Sequence, residues 1–152
     1  MTKQHKAVGH IVYEIMMFNG TNMKLQTGVS DQFEKNILLE SFAIHCRNLF
    51  DFFYKKRKYV DDIVAYDYIS QKKQFIHERT KTRILKNLTE KANKQVAHLT
   101  YKRNNYNRRT KGWSVGIIAI NMNNTIVAFL KCLDSDKKKW FIELYRQYGV
   151  QI

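Results

Sequence analysis

The chain has 152 residues, of which 44% are hydrophobic, 13% aromatic and none proline, and a formal net charge of +14. That length and apolar content suit one domain with one core, and the aromatic share excludes a disordered tail. The lack of proline, with only six glycines, favours long helices over a turn-rich β-architecture.

In chain order, a polar start from Met1 to Lys6 leads into Ala7–Phe18, an apolar stretch interrupted by His10 and Glu14. No small-residue cleavage site follows it, so it reads as a helix rather than a secretory signal, and a cytoplasmic location is expected. Val8, Ile11, Val12, Ile15 and Met16 recur at three and four residues, which predicts a first helix from about Lys6 to Phe18. Asn19-Gly20 supplies a left-handed stop. Ser30 is placed to cap a second helix, with Asp31 and Glu34 putting negative charge on its first turn. Its stripe of Phe33, Ile37, Leu38, Phe42, Cys46, Leu49, Phe50 and Phe53 runs to about Tyr54, where Lys55-Lys56-Arg57-Lys58 favours a helix C-terminus.

Asp61-Asp62 begins a short helical or turn segment through Ile69. The next helix opens near Ser70 or Thr80 and reaches Thr100. Ile84, Leu88, Ala92, Val96 and Leu99 form its apolar face, and Lys86, Lys91, Lys94 and His98 fall off it. From Lys102 to Gly112 no apolar period survives, which predicts an exposed loop. Ser114 caps a buried helix to about Leu133, and Ser135 or Asp136 starts a last helix whose Trp140, Phe141, Leu144, Tyr145 and Tyr148 face inward. The expected fold is all-α, a single-domain bundle of about five or six helices spanning residues 1–152. Cys46 and Cys132 both lie in apolar periodic segments and read as buried thiols. Val115–Leu133 is the most apolar stretch, but Asn121, Asn123, Asn124 and Lys131 would each be costly inside a bilayer, so no membrane span is expected.

The charge is local. Residues 1–70 carry nine Lys/Arg against eight Asp/Glu, a net of +1, and residues 112–152 carry five against three, a net of +2. Residues 71–111 carry thirteen against two, a net of +11. Such clustering is the electrostatic footprint of a polyanion partner, with RNA or single-stranded DNA first and an acidic protein partner as the alternative. Tyr101 and Tyr106 stand among Lys102, Arg103, Arg108, Arg109 and Lys111, a mixture able to stack on unpaired bases while neutralising phosphates, and Lys91 and Lys94 extend it upstream. The bland counterpart is a solvated loop without a specific ligand.

Catalytic motifs are sparse. The five histidines, at positions 5, 10, 45, 77 and 98, form no His-Glu-x-x-His pattern, and no carboxylate cluster suits a two-metal nuclease. No metal or other cofactor is expected. There is also no glycine-rich phosphate loop and no Gly-x-Ser-x-Gly elbow. Two placements remain. Glu40, Ile44, Arg47 and Asp51 follow at four, three and four residues, so Asp51 can orient Arg47; either the arginine meets an anion, or Arg47 and Asn48 simply pair with Asp51 and a neighbouring helix. His98, one turn beyond Lys94, is the one attractive acid/base candidate, or else a helix-terminal histidine bonding to the last carbonyls.

The segment from Leu39 to Phe53, which contains His45-Cys46-Arg47-Asn48-Leu49-Phe50-Asp51, together with Asp61-Asp62 and with Asn93-Lys94-Gln95-Val96-Ala97-His98 running on to Arg103, resembles small bacterial helical proteins of the HEPN type. The resemblance covers roughly residues 37–103. It implies a bundle that pairs two helices around an Arg-Asn-x-x-x-His-like motif, often as a homodimer that joins two motifs, and in many members a metal-independent ribonuclease. In that chemistry the RNA 2′-hydroxyl attacks, His98 moves a proton, and a cation stabilises the phosphorane. Asn93 stands where the motif has arginine, five residues before His98 and about 140° from it around a regular helix, so Arg47, Asn48 or Arg103 would have to supply the missing group. The implied activity is therefore nucleic-acid binding with degenerate ribonuclease chemistry carried by His98, Arg47, Asn48 and Asn93. The alternative is a non-catalytic, antitoxin-like interaction protein.

Overall fold

The first helix, α1, occupies Lys3–Thr27 and starts where Thr2 Oγ1 accepts the backbone N–H of His5 at 3.2 Å. In this computed structural model, residues 1–81, 83–92, 101, 104 and 112–148 are described, with the backbone alone at 84 and 88–90. α1 runs through Asn19-Gly20, where the sequence predicted a stop. Phe18 and Thr21 are both buried, so the packed face continues across the glycine, and the Thr21 hydroxyl donates to Met17 O at 2.7 Å instead of breaking the helix. The chain turns at Gly28, whose φ of +93° is open to glycine and strained for other residues.

α2 (Gln32–Tyr54) returns antiparallel along α1. Its cap is Asp31 rather than Ser30: the Asp31 carboxylate accepts Glu34 N–H at 2.7 Å. The apolar stripe holds from Phe42 to Phe53, all buried at Phe42, Cys46, Leu49 and Phe53. It fails at the start, because Phe33 is 73% and Ile37 50% exposed. Periodicity tells which side chains share a face, not whether anything lies opposite. Here the first turns of α2 extend past the part of α1, Val8 to Thr21, that reaches the core.

After α2, Asp62 accepts from the backbone N–H groups of Lys58 and Tyr59, closing a turn, and a single 3₁₀ turn follows at Ala65–Asp67. The two candidate openings for the next helix prove to be two helices, α3 (Lys72–Glu78) and α4 (Arg83–Ala92), separated by Arg79 in an extended conformation. α4 turns Leu85 and Ala92 into the core. α5 (Val115–Cys132) is the described helix long and apolar enough to cross a membrane, but its Ile118, Ala119, Met122, Ile126 and Phe129 are buried in this bundle. Ser114 precedes it without a side-chain cap, and Asn121 satisfies its own amide by donating to Ile117 O at 2.8 Å. α6 (Ser135–Gln147) buries Phe141 and Tyr145, whereas Tyr148, expected to face inward, lies just past the helix end and is exposed. The described residues thus form a single-domain, all-helical bundle of six helices, with α1 packed on α2, α5 and α6, α3 on α5, and α4 between α2 and α5. Both cysteines are buried and free, and burial pushes the Cys46 thiol far above its ordinary range.

Phe129 on α5 lies at the centre of the core. Its ring meets Phe52 and Phe53 of α2, Tyr68 after the 3₁₀ turn, Phe75 of α3 and Phe141 of α6, with centroids 5.3 to 6.4 Å away and interplanar angles of 62° to 81°. These are edge-to-face contacts, which add to plain burial. Phe129→Ala should therefore cost about 3–5 kcal/mol, the usual range for emptying a buried phenyl site, read from urea unfolding. A loss under about 1 kcal/mol would mean that the ring is not the junction of the bundle.

Two buried phenols add a pH dependence. Desolvation, and for Tyr68 also the neighbouring Asp67 charge, pushes Tyr68 and Tyr145 up from 10.0 to about 12. The folded chain then holds these protons more tightly than the unfolded chain. Their contribution is complete below pH 10 and is lost as pH rises through about 12. Stability should fall across that window. Tyr145→Phe, which leaves no titrating phenol at that site, should flatten the fall in a series of urea midpoints against pH.

Candidate nucleic-acid interface

The net of +11 between residues 71 and 111 begins on α3 and α4, so its geometry starts there. Lys72, Lys73, Lys81, Arg83 and Lys86 are all exposed. Three cations elsewhere in the fold are paired, Lys55 with Asp51 at 2.8 Å, Arg57 with Asp67 at 2.6 Å and Lys137 with Asp134 at 2.7 Å, while others such as Lys24, Lys35 and Lys138 are exposed but scattered. Among the described residues, none of these five cations on and between α3 and α4 has a carboxylate in ion-pair contact. Their field is directed at solvent, where it attracts an anion.

Arg79 sets the angle between the two helices. Its Nη1–H donates to Phe53 O at the end of α2, and its guanidinium lies 4.7 Å over the Tyr54 ring and 5.6 Å from that of Phe75. Tyr54 in turn donates to Thr80 O and sits 2.8 Å from the Thr125 hydroxyl of α5, itself bonded to Asn121 O. Burial raises the Tyr54 pKa, which keeps the phenol neutral and able to donate. The break between α3 and α4 is thus bolted to α2 and α5 by a stacked arginine and a bonded tyrosine.

At the far end of α4, Lys91 donates to Gly112 O and covers the Trp113 ring at 5.0 Å. Desolvation lowers its pKa. Lys91 therefore joins α4 to the segment that enters α5, and only part of its charge faces water. Tyr101 is 93% exposed, as a base-stacking side chain should be. Asn93, Lys94, His98, Lys102, Arg103, Tyr106, Arg108, Arg109 and Lys111 lie outside the described residues.

On α2, Arg47 and Asn48 separate. Successive helical residues point about 100° apart. Asn48 turns toward α1, where its amide donates to Glu14 Oε2 at 3.2 Å. Arg47 shares a side of α2 with Phe50 and Tyr54, the side nearer α4. The expected Arg47–Asp51 pair is replaced by Lys55–Asp51, and Arg47 Nε is buried with no hydrogen-bond partner. Lys55, at the helix end, reaches back one turn and takes the carboxylate first.

The sequence reading missed the best-built polar contact of the hairpin. Buried His45 donates its Nδ1–H to Glu14 Oε2 at 2.7 Å, with the Tyr13 ring edge-on at 5.6 Å. A carboxylate can only accept, so Nδ1 is the ring nitrogen that carries the proton in this bond. The signal was present in outline. Glu14 is a carboxylate inside an apolar stretch, and His45 falls among the buried stripe of α2, so each needed a partner across the helix pair. Among the described residues no group of three His, Cys, Asp or Glu side chains could hold a metal ion. No family model, curated protein or solved structure matches the chain.

Proposed function

We propose that the chain is a HEPN-like helical protein of the cytoplasm that binds single-stranded nucleic acid, RNA first, along the face of α3 and α4 and the residues that follow to Lys111. The observation that carries this reading is the clustering of five exposed cations without carboxylate partners, Lys72, Lys73, Lys81, Arg83 and Lys86, in a stretch with a net charge of +11. It is supported by exposed Tyr101 at the edge of the same charged stretch. The alternative partner, an acidic protein in an antitoxin-like complex, uses the same charges but needs no stacking side chain.

Salt separates the two. Affinity for a single-stranded RNA should fall linearly with the logarithm of salt concentration, at about 0.7 per phosphate neutralised. Lys81→Ala/Arg83→Ala/Lys86→Ala should reduce that slope by about 2. Equal affinity for poly-glutamate would favour the acidic-protein reading. A Tyr101→Ala variant with unchanged RNA affinity would remove the stacking argument.

Cleavage is a further part of the proposal. Asn48 is already bonded to Glu14, which leaves Arg47 as the α2 cation available to the HEPN-type chemistry, with His98 moving the proton. RNA cleavage in EDTA should then drop by about 100-fold or more in His98→Ala, the usual scale of a lost general acid or base. Undiminished cleavage by that variant would rule His98 out.

A further inference from the structure

The end of α1, the first half of α2 and the first turn of α5 converge on a cleft of about 590 Å³, inside the range of roughly 300–1,000 Å³ usual for ligand sites. Leu39 of α2 and partly buried Trp113 give it apolar walls, and the Gln26 amide and Ser114 hydroxyl give it polar groups. Lys35 lines it from α2, is exposed, and has no carboxylate in ion-pair contact among the described residues. No carboxylate lines the cleft among those residues either, and Lys91 Nζ lies 5.0 Å from the centroid of the Trp113 ring. Two details shape the wall made by α5. Its first helical bond runs from Ile118 N–H to Ser114 O at 2.9 Å, so the amides of Val115, Gly116 and Ile117 precede the ladder and stay outside it. A side chain at Gly116 would bring its Cβ to 2.8 Å from Gln26 Nε2, so the glycine is what lets the Gln26 amide lie against that turn.

We propose that this cleft binds a nucleoside 5′-phosphate, with the base against the Trp113 ring and the phosphate between Lys35 and the first turn of α5. The ligand class follows from the lining. A cation with no carboxylate beside it selects an anion, and a phosphate monoester suits an ammonium group and open helix-start amides together. A flat aromatic body suits an indole wall. Gln26 and Ser114 offer donors and acceptors to the edge of a base, and an alkyl chain would leave them unpaired. That sets a nucleotide ahead of a fatty acid, the other common anion with an apolar body. The site goes beyond the basic face, because it uses none of Lys72, Lys73, Lys81, Arg83 and Lys86. Lys91, which joins α4 to Gly112, places the cleft at the far end of that face. The same chemistry is carried by a free mononucleotide and by the 5′-phosphorylated end of a strand.

The experiment follows Trp113 fluorescence in a Trp140→Phe variant of the full chain, since 113 and 140 are the two tryptophan positions and Trp140 is stacked on His5 instead. Calorimetry on the wild type reads the same titration independently of the ring. Adenosine 5′-monophosphate should change the fluorescence along a saturating curve, and adenosine and inorganic phosphate should each bind at least about tenfold more weakly. Lys35→Glu, at an exposed site, should weaken the nucleotide at least about tenfold with the circular dichroism unchanged. Gly116→Ala should keep or raise the thermal midpoint, because alanine favours a helix, and lower nucleotide affinity several-fold by displacing the Gln26 amide. Lys81→Ala/Arg83→Ala/Lys86→Ala should leave this titration as it is, so failure of RNA binding by the basic face and failure of the cleft are told apart. A decaribonucleotide with a 5′-phosphate that binds at least about tenfold better than its 5′-hydroxyl counterpart, and competes with the mononucleotide, would assign the cleft to strand ends; equal affinity of the two would assign it to the free nucleotide. Absence of nucleotide binding in both readouts, tighter binding of decanoate, or full affinity in Lys35→Glu would each overturn the proposal.

Discussion

The bundle depends on one ring. Phe129 is fully buried and is the point at which α2, the turn before Tyr68, α3 and α6 all touch α5. α1 is tied into the same junction by the Tyr68 hydroxyl, which donates to Gln4 O at 3.0 Å, and by His5 stacked on Trp140 at 4.6 Å. Because α3 is fixed through Phe75, the chain leaves it at a set place, and Arg79 can reach both Phe53 O and the Tyr54 ring. The direction of α4, and with it that of the free cations, follows from a packing constraint about a ring on another helix.

This is also why some features were legible in the residues and others were not. Helical period alone placed Phe42 to Phe53 and the inward Phe141 and Tyr145, because in those stretches one face meets the core over its whole length, while the apolar content of α5 marked it as a buried helix. Asn19-Gly20 looked like a stop since glycine permits one, but buried Phe18 and Thr21 on either side outweigh the roughly 1 kcal/mol that a mid-helix glycine costs. Phe33 and Ile37 had the right spacing and no opposing surface. The break at Arg79 left no proline or glycine to mark it. It comes from contacts with Phe53 and Tyr54, some 26 residues earlier in the chain. For the site, the clustering of charge was legible from counting; the freedom of those charges from carboxylates was not, because pairing is a property of the folded surface.

Glu14 and His45 illustrate the same limit from the polar side. Thirty-one residues apart, they bond at 2.7 Å only because α1 and α2 run antiparallel with this register. Each would be an expensive desolvated group without the other. The pair also decides what Asn48 can do. With its amide drawn to Glu14, the two polar neighbours Arg47 and Asn48 serve different sides of one helix, and of the two it is the arginine that lacks a partner.

Arg47 lies two turns before Tyr54 on one side of α2, and Tyr54 donates to Thr80 O, immediately before Lys81. The half-buried guanidinium, its Nε without a partner, therefore sits on the side of α2 to which the segment between α3 and α4 is bolted. An anion drawn to Lys81, Arg83 and Lys86 would meet a further cation there, one already partly out of water and so less screened than the lysines beyond it.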